Sequence, residues 1–241
     1  MVPSLLEQDV CGAGALASAR PFQPRLPDPG YPMLPAPEHL STARLAGTRV
    51  RRADLLDFQA YHGDPRVMEC LHPGRAAWDP KELEALLDAH IRHWEEHGFG
   101  TWAFRDRRDG RFAGRAGFRY YEMGSGPEIE LYYGVTSDLW GQGYATEMTR
   151  EIIRVAREEM GVRELVAFTL PANEASRRVL AKCGFSVGGD IVHAGLDHLL
   201  LRRTLASGPE RAVRSAVSPG SDRATGQDDH FGHHVRSDSR V

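Results

Sequence analysis

The sequence predicts an α+β fold, a mixed and mostly antiparallel sheet with helices on both faces. Three observations carry that prediction. Short runs of aromatic and aliphatic residues, punctuated by Gly, Pro and Asp turns, fall between residues 101 and 135 and again after 164. Segments with apolar residues at helical spacing are interleaved with them, the clearest running from Leu83 to Trp94 and from Ala145 to Ala156. Both flanks lose this texture. Residues 1–40 are rich in Pro, Gly and Ala, and residues 207–241 are Ser, Gly, Asp, Arg and His with almost no large apolar side chain. The expected organisation is therefore a disordered arm over 1–40, or one that wraps the domain or a partner, then one domain over 41–206 and a disordered tail over 207–241.

The elements follow in order. Leu45 to Arg51 reads as a first strand. Asp54 is placed to cap a short helix from Leu55 to Tyr61, which Gly63-Asp64-Pro65 breaks. A further helical turn holds Val67, Met68 and Leu71. Asp79-Pro80-Lys81-Glu82 is a capping box with proline at the first helical position, and Leu83, Leu86, Leu87, Ile91 and Trp94 share the following face. His97-Gly98 ends that helix. Thr101–Arg105 and Arg111–Tyr121 form a hairpin about Asp109-Gly110. Gly124-Ser125-Gly126-Pro127 turns into a central strand, Glu128–Val135. After the next helix, which Gly161 stops, Glu164–Thr169 is a buried strand. Asn173 caps a last helix with Ala175, Val179 and Leu180 pointing inward, and Ser186–Val192 with Asp197–Thr204 closes the sheet.

Composition excludes several classes. The formal net charge of -3 over 241 residues gives no basic excess for nucleic acid. Cys11, Cys70 and Cys183 are too few and too scattered for a disulfide framework, and no C-x-x-C has zinc spacing. His230, His233 and His234 lie in the tail and read as solvated rather than metal-binding. No apolar run approaches the roughly 20 residues of a membrane helix. The N-terminus carries Glu7 and Asp9 where a signal peptide has positive charge, so a cytoplasmic location is expected.

Residues 128–148 are the centre of the chain. There a strand turns through Trp140-Gly141-Gln142-Gly143-Tyr144-Ala145 into a helix. The first N–H groups of a helix lack internal partners and sit at the positive end of its dipole. Two glycines let a phosphate approach that backbone closely. On its own such a motif is more often a plain turn, and it lacks the P-loop's Lys-Ser/Thr.

Three stretches supply more. Leu40–Leu45 followed by Val50–Asp54, Trp140–Glu147, and Asn173–Leu180 with Lys182-Cys183-Gly184-Phe185 together resemble the GCN5-related N-acetyltransferase (GNAT) superfamily, in its ribosomal-protein-alanine and spermidine acetyltransferase-like branch. The resemblance covers residues 41–206. It implies splayed central strands and transfer of acetyl from acetyl-CoA directly to a primary amine, with no acyl-enzyme and no metal. The acceptor is a protein N-terminus, an amino acid, a polyamine or an aminoglycoside, and a homodimer is left open.

The site residues implied are these. The amides of Gly141, Gln142, Gly143, Tyr144 and Ala145, with Trp140 and Thr146 beside them, would hold the pyrophosphate. Tyr132, Tyr133, Gly134 and Val135 would pair with the pantetheine arm as an added strand. Asn173 is a helix cap, a pantetheine partner or both. Arg177 and Arg178 either reach CoA phosphates or lie on a solvated face. Glu130 is the candidate base, with Glu128 two residues earlier on the same face; either could instead only attract a cationic acceptor or pair with a surface Lys or Arg, and with a polyamine Glu128, Glu130 and Glu122 could make an acidic pocket. The Tyr133 amide is the candidate oxyanion donor. Many relatives carry a tyrosine acid where Leu180 stands, so Ser176 becomes the nearest hydroxyl for the leaving thiolate, or only a positioning group. Cys183 reads as structural. A catalytically silent acyl-CoA-binding or partner-docking module is the competing reading.

Overall fold

The computed structural model describes residues 34–75, 78–124, 126–193 and 195–205. Its strands are β1 (His39–Ser41), β2 (Leu45–Arg49), β3 (Thr101–Asp106), β4 (Phe112–Met123), β5 (Gly126–Val135), β6 (Glu164–Thr169), β7 (Ser186–His193) and β8 (Leu196–Thr204). Its helices are α1 (Leu55–Gly63), α2 (Pro65–Leu71), α3 (Pro80–His97), α4 (Tyr144–Glu158) and α5 (Glu174–Lys182). Short 3₁₀ turns at Arg52–Asp54 and Ser137–Leu139 complete the order.

The strands form one sheet in the order β1-β2-β3-β4-β5-β6-β8-β7. Every neighbouring pair is antiparallel except β5 and β6, which run parallel. β4 and β5 pair along ten residues, from Gly114↔Val135 to Met123↔Gly126. β5 and β6 pair at a single position, Glu130↔Val166. Beyond that bridge the two strands diverge toward the start of α4, which is the splay expected of the central strands.

Adjacent residues of a strand point to opposite faces. Tyr132 stacks on His90 of α3, while the Tyr133 hydroxyl reaches Ser176 of α5. The helices therefore cover both sides of β5. Trp102, Phe104, Phe118 and Leu131 from the sheet are buried with Met148 and Ile152 of α4. Met68, Trp78, Leu83 and Leu86 form a separate cluster between α2 and α3. Each fully buried side chain of this size contributes about 1.5–3 kcal/mol.

Local chemistry sets the helix ends. The Lys81 amide donates to Asp79 Oδ1 at 2.8 Å, and the Asp79 amide donates to Glu82 Oε2 at 3.0 Å, closing the capping box. Gly98, at φ 72°, terminates α3. Asn173 Oδ1 accepts from the Ser176 amide at 3.0 Å and caps α5.

Three sequence expectations change. Residues 34–40, assigned to the arm, lie on the domain: Ala36 and Leu40 are buried, the Ala36 amide bonds Gly98 O, and His39–Ser41 adds an edge strand. Asp54 does not cap α1 with its side chain. Its carboxylate accepts from the Arg51 amide and from Arg105 instead. Ala175 is exposed rather than packed in the core. The expectations for residues 1–33 and 206–241, with Cys11 and the tail histidines, lie outside the described residues. No helix among those described is long and apolar enough to cross a membrane.

Candidate active site

The divergence of β5 from β6 opens a cavity of about 440 Å³. Its floor is the β5 backbone, its walls are β6, α5 and the α1–α2 corner, and its mouth is the turn into α4. Along 131–135, alternate residues direct their N–H and C=O toward β6, which has moved away. Tyr132, Tyr133, Gly134 and Val135 all line this opening.

At the mouth, Gly141 and Gly143 hold φ of 75° and 82°, conformations that side-chain-bearing residues rarely adopt. The first backbone bond of α4 runs from the Glu147 amide to Gly143 O at 3.1 Å. The amides of Tyr144, Ala145 and Thr146 thus precede the helix's own ladder and face its positive end outward. The loop is tied down from below. Glu147 accepts from Thr42 Oγ1 at 2.6 Å, from the Arg44 amide at 2.8 Å and from Arg44 Nε at 2.6 Å, and Arg44 Nη1 also donates to Gln142 O at 2.9 Å. Tyr144 is buried, with its hydroxyl donating to Asp106 Oδ2 at 2.5 Å and the Arg44 guanidinium over its ring. Trp140 Nε1 donates to Val135 O at 2.9 Å, closing the strand end onto the turn.

On the α5 side, Asn173, Ser176 and Arg178 line the cavity, whereas Arg177 and Gln142 do not. Arg177 is exposed and donates to Pro171 O. The Gln142 side chain donates to Asp138 O, so of this residue only the backbone can serve the loop. The Tyr133 phenol donates to Ser176 O at 3.1 Å and lies 2.9 Å from Ser176 Oγ. Burial pushes that phenol's pKa up, so it stays neutral. Leu180 is buried under the same wall.

Glu130 stands at the apex, where β5 still touches β6. It is buried, and Arg119 Nε donates to its Oε2 at 2.6 Å. Of the glutamates considered from sequence, Glu130 lines the cavity and Glu128 and Glu122 do not. Glu128 is bridged to Arg202 at 2.6 Å, and Glu122 is exposed. An acidic pocket built from all three does not form.

Several cavity residues were not singled out from sequence. His193 and His198 come from opposite strands of the closing hairpin, diagonal to one another across the Ile191↔His198 and His193↔Leu196 pairs. His198 Nδ1 lies 3.0 Å from Leu196 O. A carbonyl only accepts, so Nδ1 carries a proton, and Nε2 is the ring nitrogen left for other contacts. Burial, then the charge of Arg119, lowers the pKa of His193 to about 3. Tyr61 of α1 fills the space over Gly134, where a Cβ would lie 1.9 Å from the Tyr61 hydroxyl oxygen. Arg115 sits beside it, buried. Cys70 lines the α2 edge, but burial raises its thiol's pKa. Cys183 is buried outside the cavity, its thiol likewise raised by burial. Neither is a ready nucleophile.

A glycine-cornered turn below a half-open strand pair is specific enough to compare with known proteins. Residues 44–186 match the family model of the acetyltransferase (GNAT) domain. The chain belongs to the GNAT family. A GNAT-family acetyltransferase from Bordetella pertussis superposes with a TM-score of 0.60 at 24% identity, over 70% of this chain and 100% of that one. Ribosomal-protein-S5-alanine acetyltransferase from Vibrio fischeri superposes at 0.57 with 16% identity, over 69% and 96%. These structures share the GNAT fold, the second of them in the branch named from the sequence. Among curated proteins, FsC-acetyl coenzyme A-N(2)-transacetylase of Aspergillus fumigatus is 32% identical over 129 residues, 51% of this chain. The match spans 54% of that protein's length, about half of it.

Proposed function

We propose that the chain is an acetyl-CoA-dependent N-acetyltransferase that moves the acetyl group directly onto a primary amine. The single bridge between β5 and β6, with an open wedge running from it to the bare amides of α4, carries this reading. A thioester co-substrate needs three things from a protein, and residues suited to each line the wedge. Amides of residues 141–146 suit the pyrophosphate. Backbone groups of 131–135 on the side facing β6 suit the pantetheine amides. Backbone N–H groups on β5, the Tyr133 amide among them, suit the oxyanion that develops at the thioester carbonyl.

The amine arrives as an ammonium and must lose a proton before its nitrogen can form the new C–N bond. Glu130 is assigned that role, attracting the ammonium and taking the proton directly or through water. Its carboxylate is already engaged by Arg119, which favours a second reading. In that reading His198 accepts the proton through Nε2, and Glu130 only orients the amine. As the C–S bond breaks, the thiolate leaves, with Ser176 and the Tyr133 phenol bordering its position; the thiolate is stable enough to depart unprotonated. Cys70 and Cys183 are protonated thiols and take no part, so no acyl-enzyme is assigned.

Steady-state thiol release from acetyl-CoA over a panel of amines tests the proposal. Turnover with at least one amine is expected. CoA binding with no turnover on any of them would instead favour a silent binding module, consistent with Leu180 at the tyrosine position.

A further inference from the structure

We propose that the acceptor carries a carboxylate and that Arg115 receives it. The inference rests on the acetyltransferase reading and narrows its acceptor to amino-acid-like amines.

Arg115 lies on β4, in register with Gly134 of β5, and is 8% exposed. Its Nε is buried with no hydrogen-bond partner. Its Nη1 reaches His90 Nε2 at 3.3 Å, a neutral ring whose Nδ1 is 2.9 Å from Thr101 Oγ1. The guanidinium also meets the Tyr61 hydroxyl, a neutral partner, and faces the rings of Phe58, Tyr61 and Tyr132 at 6.0, 5.9 and 5.5 Å. Among the described residues no carboxylate comes within ion-pairing distance of it. Buried guanidinium groups are normally matched by an anion, because an uncompensated buried charge is costly. The surroundings register the imbalance. After burial itself, Arg115 is the largest cause holding His62 and His90 well below the usual histidine range.

Charge and position identify the missing partner. The inner wall presents Arg115 and Arg119 against Glu130, and Arg119 is already bonded to that carboxylate. One positive charge is left over, which suits a monoanion rather than a phosphate dianion. A planar guanidinium also matches a carboxylate in a two-point contact. Arg115 shares the sheet face of Glu130 and Tyr132, under α1 and α3. That is the face opposite Tyr133, Ser176 and Arg178 of the α5 wall, so its anion is not the CoA phosphates. A polyamine or aminoglycoside would place a second cation against an unpaired arginine, which disfavours both.

Matched pairs test this directly: lysine with cadaverine, ornithine with putrescine, β-alanine with ethylamine, phenylalanine with phenethylamine. Acetyl transfer to each is measured at saturating acetyl-CoA with the full chain. The carboxylated member of a pair is expected to have the higher kcat/KM by about tenfold or more, as one charge-assisted contact implies. Arg115→Gln is expected to erase that preference through KM for the amine, and Arg115→Lys to restore part of it. If Arg115→Gln does not fold, the wild-type pairs still decide. Equal or faster turnover of the decarboxylated members overturns the carboxylate assignment and leaves the transferase reading intact. An Arg115 effect on the CoA dissociation constant in place of the amine KM also overturns it. No turnover on any amine, with CoA still bound, overturns the transferase reading and this inference with it.

Discussion

Replacing Gly143 by valine tests the phosphate cradle more sharply than any other single change. Gly143 holds φ 82°, and the nearest atom to a Cβ built there is Arg44 Nη2 at 3.6 Å. Space is therefore available, and the obstacle is conformational. An L-residue in the left-handed region costs about 1–2 kcal/mol, and a β-branched one more. The turn relieves that strain by rotating, which swings the following amides out of convergence. Each charge-assisted hydrogen bond to a phosphate contributes about 1.5–3 kcal/mol, so losing two weakens CoA binding by about 3–6 kcal/mol, roughly 10²- to 10⁴-fold. Gly110 provides the matched control. It has φ 74°, open space around it, and a place in the β3–β4 turn. Gly110→Val should cost comparable stability and leave CoA binding alone. Titration calorimetry with CoA, alongside thermal melts of both variants, separates the effects. A folded Gly143→Val protein that binds CoA within threefold of wild type would refute the cradle.

Three further outcomes are expected. Glu147→Ala removes the staple joining Thr42 and Arg44 to α4 and should cost about 2 kcal/mol of stability and weaken CoA binding; a melt without any CoA effect would divorce the staple from the cradle. His93 is buried and its pKa is lowered to about 4, by burial above all. The unfolded chain takes that proton near 6.5, so between pH 6.5 and 4 the unfolded state binds more protons and stability falls with acidification, by about 3 kcal/mol in full. His93→Asn should flatten part of that slope in urea midpoints measured at pH 7 and 4.5, and an unchanged slope would contradict it. Finally, Glu130→Gln should slow transfer most at neutral pH and less at alkaline pH, where the amine is already neutral. A loss independent of pH would leave Glu130 as a binding group and pass the base role to His198.

What was legible in the sequence is what local chemistry decides. The Asp79–Glu82 box, Gly98, Asn173 and the two glycines before α4 each act within one turn of the backbone, and each stands where its chemistry requires. Strand β6 was readable to the residue because both its faces are buried, leaving a continuous apolar run. The prolines at 35 and 37 pointed to an arm. Yet the chain beside them is held by contacts no local pattern encodes, such as Trp102 Nε1 donating to Pro37 O. The site divided along the same line. Backbone contributors on β5 and at the start of α4 could be named from the chain alone. Arg115, Arg119, His193 and His198 could not, because they converge from strands far apart in sequence and their roles depend on neighbours no local pattern names. Asp54 shows the converse: its position fitted a helix cap, and Arg105, 51 residues away, claims the carboxylate.

A sheet whose halves share one rung has a fault line. Five strands lie on one side of it and three on the other, and the docked nucleotide-bearing thioester would be stitched to both by main-chain bonds. The ligand would then be a removable ninth member of the sheet. Amide protons flanking the seam, and the force needed to pull the two blocks apart, should report its arrival before any product forms.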